Sequence, residues 1–252
     1  MEKVLNPTVC FFDSGIGGLW LLYDCVKKLP NVDFIYFSDN AHVPYGSLAH
    51  DKIIELTDSA FSEISKLNPA AAVVACNTAT AHCVEYLRNK YPFEVVGIQP
   101  AVKPAVAVGG KCLVLATPST ANSQPLQELI AKFGQGKVET VACPNLAQYI
   151  ENNIEHIDEK HIKSMLPEID CNSVVLGCTH YIYVKEIIKS YYNCPVFDGI
   201  EGTANNLVKK LGKNDHRAKR AQKITFKWGY ADKNRRIFRG IISRFGVKNP
   251  EK

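Results

Sequence analysis

The chain has 252 residues, of which 46% are hydrophobic and 22% charged, and carries a net charge of +5. That composition excludes a disordered chain, a collagen and a coiled coil, and the length allows between one and two domains with a full core. No run of about 18 apolar residues occurs, so no membrane span is expected. Met1 to Pro7 has no apolar signal-peptide core, which predicts a cytoplasmic protein.

In chain order, short apolar runs alternate with amphipathic stretches. Strands are predicted at Thr8–Phe12, Asp33–Phe37, Ala71–Ala75, Glu94–Ile98, Lys111–Ala116, Lys137–Ala142, Ser173–Leu176 and Cys194–Phe197. Helices are predicted at Leu19–Leu29, His50–Leu67, Thr80–Lys90, Ser123–Phe133, Asn145–Ile157, Lys185–Tyr191 and Thr203–Leu211. Strands that are apolar throughout and separated by helices imply parallel sheets covered on both faces. Ligands in such folds bind beyond the carboxyl ends of the strands. Functional residues are therefore sought just after strand runs.

Charge is unevenly spread. From Lys209 to the end there are 15 Lys/Arg against 3 Asp/Glu, whereas the preceding 208 residues are net acidic. A basic tail can contact nucleic acid or a membrane surface. Here Trp228, Tyr230, Ile237, Phe238, Ile241, Ile242 and Phe245 give it something to bury. It reads as a solvated helical face rather than a nucleic-acid site.

Nine cysteines are present, none in Cys-x-x-Cys spacing, which argues against zinc ribbons and thioredoxin chemistry. An odd count without a signal peptide argues against a disulfide framework. Most read as small buried hydrophobes.

Two of them end similar strands. Ala72-Val73-Val74-Ala75-Cys76-Asn77-Thr78 resembles Ser173-Val174-Val175-Leu176-Gly177-Cys178-Thr179. Each is a buried strand that ends in a cysteine with a threonine close behind. Two similar halves would present the two cysteines across a shared cleft. A strand-end thiol at a helix N-terminus is a candidate thiolate, and His180 stands two residues beyond Cys178. Asp13 ends the first strand and opens a Gly-rich turn, Asp13-Ser14-Gly15-Ile16-Gly17-Gly18. Trp20 occupies the position where the dinucleotide fingerprint needs its third glycine, and no Gly-Lys-Ser/Thr follows, so neither nucleotide-loop reading holds. Ser38 to Gly46 adds polar residues after a strand and a Pro44-Tyr45-Gly46 turn.

Facing thiols suit a reaction that removes a proton from one face of a carbon and returns one to the other. The rival reading is a cysteine hydrolase with Cys178 as nucleophile and His180 as base, which leaves Cys76 idle.

These motifs, in this order and over nearly the whole chain, resemble the glutamate racemases of the aspartate/glutamate racemase superfamily. The matching residues are Phe12 to Leu19, Pro44-Tyr45-Gly46, Cys76 to Ala79, Gly97 to Pro100, Thr117 to Ser123, Cys143-Pro144 with Glu151, and Gly177 to Tyr181. The resemblance implies two similar doubly wound α/β domains facing a shared cleft. It sets the first at residues 1–98 plus 207–252 and the second at 99–206. It implies racemisation of glutamate for peptidoglycan synthesis, with no cofactor and no metal. Cys76 would act on the D face, assisted by Asp13, and Cys178 on the L face, assisted by His180, with Glu151 nearby. Ser14, Pro44, Tyr45, Gly46, Asn77, Thr78, Thr117, Thr120 and Thr179 would line the substrate pocket. Dimers are common in the family. Members activated by a peptidoglycan precursor tend to carry an N-terminal extension, so that regulation is not expected. One departure is Ile182-Tyr183, where the family usually has proline after Thr-His-Tyr. The alternatives are a racemase of aspartate or another amino acid, or a racemase-like binding protein without turnover.

Overall fold

The computed structural model describes residues 6–134, 136–212 and 221–245. Met1 to Leu5 and the side chain of Phe245, used in the sequence reading, lie outside the described part. The strands are β1 (Thr8–Asp13), β2 (Asp33–Ser38), β3 (Ala71–Val74), β4 (Glu94–Gly97), β5 (Cys112–Ala116), β6 (Val138–Ala142), β7 (Ser173–Gly177), β8 (Val196–Phe197) and β9 (Ile224–Lys227). The helices are α1 (Leu19–Lys28), α2 (His50–Ser65), α3 (Asn77–Lys90), α4 (Val102–Val106), α5 (Pro118–Ala121), α6 (Gln124–Phe133), α7 (Leu146–Asn153), α8 (Glu159–Ser164), α9 (Lys185–Tyr192), α10 (Ile200–Leu211) and α11 (Ala231–Phe245). Tyr45–Ser47 and Thr179–Val184 are 3-10 turns.

The strands form two all-parallel sheets, ordered β4-β3-β1-β2-β9 and β6-β5-β7-β8. Read from the other edge, the second sheet is β8-β7-β5-β6, which is the wiring of β4-β3-β1-β2. Strands β3 and β7 therefore occupy equivalent positions, and the faint sequence repeat is a repeat of topology.

Alternation along the strands explains the layering. In β1, Val9 and Phe11 enter one core while Cys10 and Phe12 enter another on the opposite face. In the second sheet, Leu113 and Leu115 face one core and Val114 and Ala116 the other. Each sheet is thus buried on both faces, as its uninterrupted apolar strands require.

The C-terminal segment corrects the sequence reading in two places. Ile224–Lys227 is a strand, paired parallel to β2, and not part of a helical face. Its four residues sit among lysines, too short and too polar in context to stand out. What holds it is packing: the Phe226 ring lies 5.7 Å from that of Phe238 on α11. Phe238, Ile241 and Ile242 are buried, whereas Trp228 and Tyr230 are 37% and 62% exposed and so do not supply the expected core. Helix α10 sets Ala204 and Leu207 into the core beneath the first sheet. No helix of the described residues is long and apolar enough to cross a membrane.

Candidate active site

Asp13 is the last residue of β1, Cys76 follows β3 and Cys178 follows β7. The chain turns there from strand to helix or 3-10 turn, so side chains and N–H groups of both halves meet between the strand ends of the two sheets. The site is closed: Cys76 and Cys178 are 6% and 8% exposed, and Asp13, Glu151 and His180 are buried.

Cys76 caps α3. Its Sγ accepts the Ala79 N–H at 3.5 Å and the Ser14 hydroxyl at 3.8 Å. Those bonds favour the thiolate, but burial and then the charge of Asp13 outweigh them and push the thiol up to about 12. In this closed site Cys76 is a protonated thiol. Cys178 contributes to the same upward shift, so the two sulfurs lie within electrostatic reach of each other.

Asp13 accepts the Gly15 N–H at 2.8 Å on Oδ1 and the Thr179 hydroxyl at 3.3 Å on Oδ2. The second bond crosses from one sheet to the other. Burial raises the carboxyl to about 6, against the pull of His180 and of those hydrogen bonds. A carboxyl that titrates near neutrality suits proton exchange.

Cys178 has different company. The His180 Nδ1 lies 3.9 Å from its Sγ, and the His180 Nε2 lies 2.8 Å from Glu151 Oε2. Burial opposes charge on the ring, yet its hydrogen bonds with Cys178 and Glu151 and the charge of Glu151 hold His180 well above its ordinary value. That direction favours the charged ring. Burial likewise works against the Glu151 carboxylate. Bonds from His180 and from the Ile16 N–H at 2.9 Å, with the charge of Lys233, instead bring it to about 2. Gly17 permits this approach, since a Cβ there would overlap Thr179 Oγ1 and stand 2.9 Å from His180 Nδ1.

A third cluster is made of hydroxyls. Thr78 at the start of α3 meets Thr117 and Thr120 of the second sheet's layer in a triangle with 3.0 Å sides. Gly46 packs against Thr117 so closely that a Cβ would overlap it. Asn77 is buried in the first turn of α3. Tyr45 is buried and donates its hydroxyl to Asp39 Oδ2 at 2.8 Å, so that hydroxyl already has a partner. Pro44 follows Val43 across a cis peptide bond. Among the described residues no group of three or more histidine, cysteine and carboxylate side chains is placed to hold a metal ion.

Residues 28–207 match the sequence model of the family described as Asp/Glu/Hydantoin racemase. The chain belongs to that family. It is an amino-acid racemase, an isomerase. The glutamate racemase of Clostridium novyi is 40% identical over 222 residues, covering 84% of this chain and 86% of the relative. That of Clostridium acetobutylicum is 37% identical over 84% of this chain and 87% of the relative. Among solved structures, Escherichia coli glutamate racemase in complex with L-glutamate and the activator UDP-MurNAc-ala superposes with a TM-score of 0.81 at 28% identity. It covers 96% of both chains. Glutamate racemase isoform RacE1 of Bacillus anthracis superposes at 0.78 and 26% identity, over 98% of this chain and 99% of that one.

The racemase also contains site residues that the sequence reading left out. Asn40 donates to Glu151 Oε1 at 3.2 Å, Tyr36 donates its hydroxyl to the Gly15 carbonyl at 2.8 Å, and Lys233 reaches Glu151 from α11. Asn40 lay within a motif already singled out. Lys233 gave no signal, being one lysine in a basic tail. At the departure from the family pattern, Ile182-Tyr183, the 3-10 turn forms without proline. The Tyr183 hydroxyl donates to the Ile16 carbonyl at 2.8 Å and ties the turn to the loop after β1.

Proposed function

We propose that this racemase interconverts L- and D-glutamate by two-thiol proton transfer at Cα, without a cofactor, and supplies D-glutamate for peptidoglycan synthesis. The observation that carries the reading is the pair of cysteines at equivalent strand ends of two similarly wired sheets, each with its own proton partner. One cysteine, as thiolate, takes the Cα proton and becomes a thiol, and the other, as thiol, gives its proton to the opposite face and becomes a thiolate. Cys76 serves the D face with Asp13 beside it in charge, and Cys178 serves the L face with His180 and Glu151. The unequal settings support this division. Cys76 is held as an acid, while Cys178 faces the His180 ring, which gives a proton when charged and takes one back when neutral.

The Cα proton of an amino acid is a weak acid, so the developing carbanion needs fixed dipoles around it. The N–H groups at the start of α3 and after Cys178, with the hydroxyls of Ser14, Thr78, Thr117, Thr120 and Thr179, are the donors available. Asn77 and the Pro44-Tyr45-Gly46 turn complete the proposed substrate wall. Cys178, His180 and Glu151 also follow the order of a nucleophilic triad, but that scheme leaves Cys76 and its partners without a role.

Residues 1–98 with 207–252 are proposed as the first domain and 99–206 as the second, with α10 crossing the boundary. The protein is assigned to the cytoplasm, with glutamate as its small-molecule partner and a homodimer as its assembly. The names of the relatives at 40% and 37% identity support glutamate as substrate. The test is turnover of L-glutamate by the purified chain with no added cofactor, followed by chiral chromatography. The expected end point is an equal mixture of enantiomers. Turnover of aspartate alone would reassign the substrate, and no turnover of any amino acid would refute the enzymatic reading.

A further inference from the structure

The basic C-terminal segment has no role in the chemistry described so far, yet its helix touches the site. Lys233, in the first turn of α11, sets Nζ 2.9 Å from the Glu151 carbonyl oxygen and 3.2 Å from Glu151 Oε1. The next residue reaches the same carboxylate by a second route. Asn234 is buried and donates from Nδ2 to Ser38 Oγ at 2.5 Å. Ser38 donates to Asn40 Oδ1 at 2.7 Å, and Asn40 donates to Glu151 Oε1 at 3.2 Å. The Tyr230 N–H also donates to Asn40 Oδ1, at 3.3 Å, and fixes which end of that amide faces the carboxylate.

Glu151 therefore has two donors on each oxygen: Ile16 N–H and His180 on Oε2, Asn40 and Lys233 on Oε1. Three of the four come from the part of the chain packed with the first sheet. Only His180 belongs with Glu151 to the second. We infer that Lys233 is a positioning residue for proton transfer at Cys178: its ammonium holds Glu151 ionised and in place, and Glu151 in turn holds the charged ring of His180 against the thiol. This rests on the two-thiol reading. Lys233 does not touch the reacting atoms. A lysine in this place matters because the carboxylate is buried, and a buried charge with one partner removed is costly.

The charged groups facing Glu151 are His180, Lys233 and Asp13, with the hydroxyls of Tyr36 and Tyr183 close by. Two cations balance two carboxylates. Removing the lysine charge leaves the cluster one unit negative and raises its affinity for protons.

The experiment uses the full chain with Lys233→Met, Lys233→Gln and Lys233→Arg, and Arg236→Gln as control. Arg236 lies on the same helix and bonds Glu155 at 2.6 Å, but that pair is exposed and does not contact Glu151. The neutral variants should lose about tenfold or more in kcat, the equivalent of one pKa unit, with KM little changed. The acidic limb of their pH profile should move upward. Lys233→Arg should recover most of both, and Arg236→Gln should match wild type. The 15N shifts of the His180 ring should change in Lys233→Gln and not in Arg236→Gln. If Lys233→Met does not fold, Lys233→Gln decides. Wild-type kcat, pH limb and ring shifts in a folded neutral variant would overturn the role, as would equal losses in Arg236→Gln. If wild type does not racemise glutamate, the functional reading fails, and the ring shifts still decide whether Lys233 positions His180.

Discussion

Replacing Asp13 with asparagine should stabilise the protein at neutral pH while abolishing its activity. The carboxyl is fully buried and is raised from an ordinary 3.8 to about 6. A group whose folded value lies above its unfolded one binds its proton more tightly in the fold. Ionising it therefore costs stability: the cost grows as pH rises from about 4 to about 6 and is complete above that. Two units at 1.36 kcal/mol each give about 3 kcal/mol. For a chain of this size that is a rise in Tm of roughly 6–12 °C. Asparagine keeps the local bonds, because its Oδ1 can accept the Gly15 N–H and the Thr179 hydroxyl can turn to accept from Nδ2. The assay is urea unfolding of wild type and Asp13→Asn across pH. The gain should be about 3 kcal/mol at pH 8 and about 1 kcal/mol at pH 4.5. A variant less stable than wild type at pH 8, or a gain independent of pH, would refute the reasoning. Stability given up at a working site is a common exchange for function.

Gly17→Ala should cost about 1–3 kcal/mol by overpacking and cripple activity, because the added methyl meets Thr179 and His180; thermal melts and turnover check both. Thr78→Val keeps the volume and removes the hydroxyl that joins Thr117 and Thr120. It should raise KM several-fold at a stability cost of about 1 kcal/mol, read from steady-state kinetics and urea titration.

Much of this site was legible in the sequence because its residues follow buried strands. Asp13, Cys76 and Cys178 stand at the ends of apolar runs that could hardly be anything but central strands, and their motifs carried the family resemblance. The equivalence of β3 and β7 was faintly visible in two valine pairs; the sheet wiring made it firm. Glu151 and His180 were named, but Asn40 and Lys233 were not seen as partners of that carboxylate. Asn40 and Lys233 meet it across 111 and 82 residues, and no local pattern encodes a contact of that range. Strand β9 was missed because its four residues gain their burial from Phe238 and β2, not from a pattern of their own. The sequence did mark the C-terminal segment as unusual in charge, but the lysine that reaches the site resembles its neighbours until α11 is docked.

The most direct test of two-thiol racemisation is exchange of the Cα proton in D2O. L- and D-glutamate should be followed separately with wild type, Cys76→Ser and Cys178→Ser, without added cofactor. Wild type should exchange both enantiomers, and each substitution should cut racemisation by about 10²–10⁴-fold, the range of a lost acid–base group. Racemisation that survives either substitution undiminished would contradict a role for both thiols.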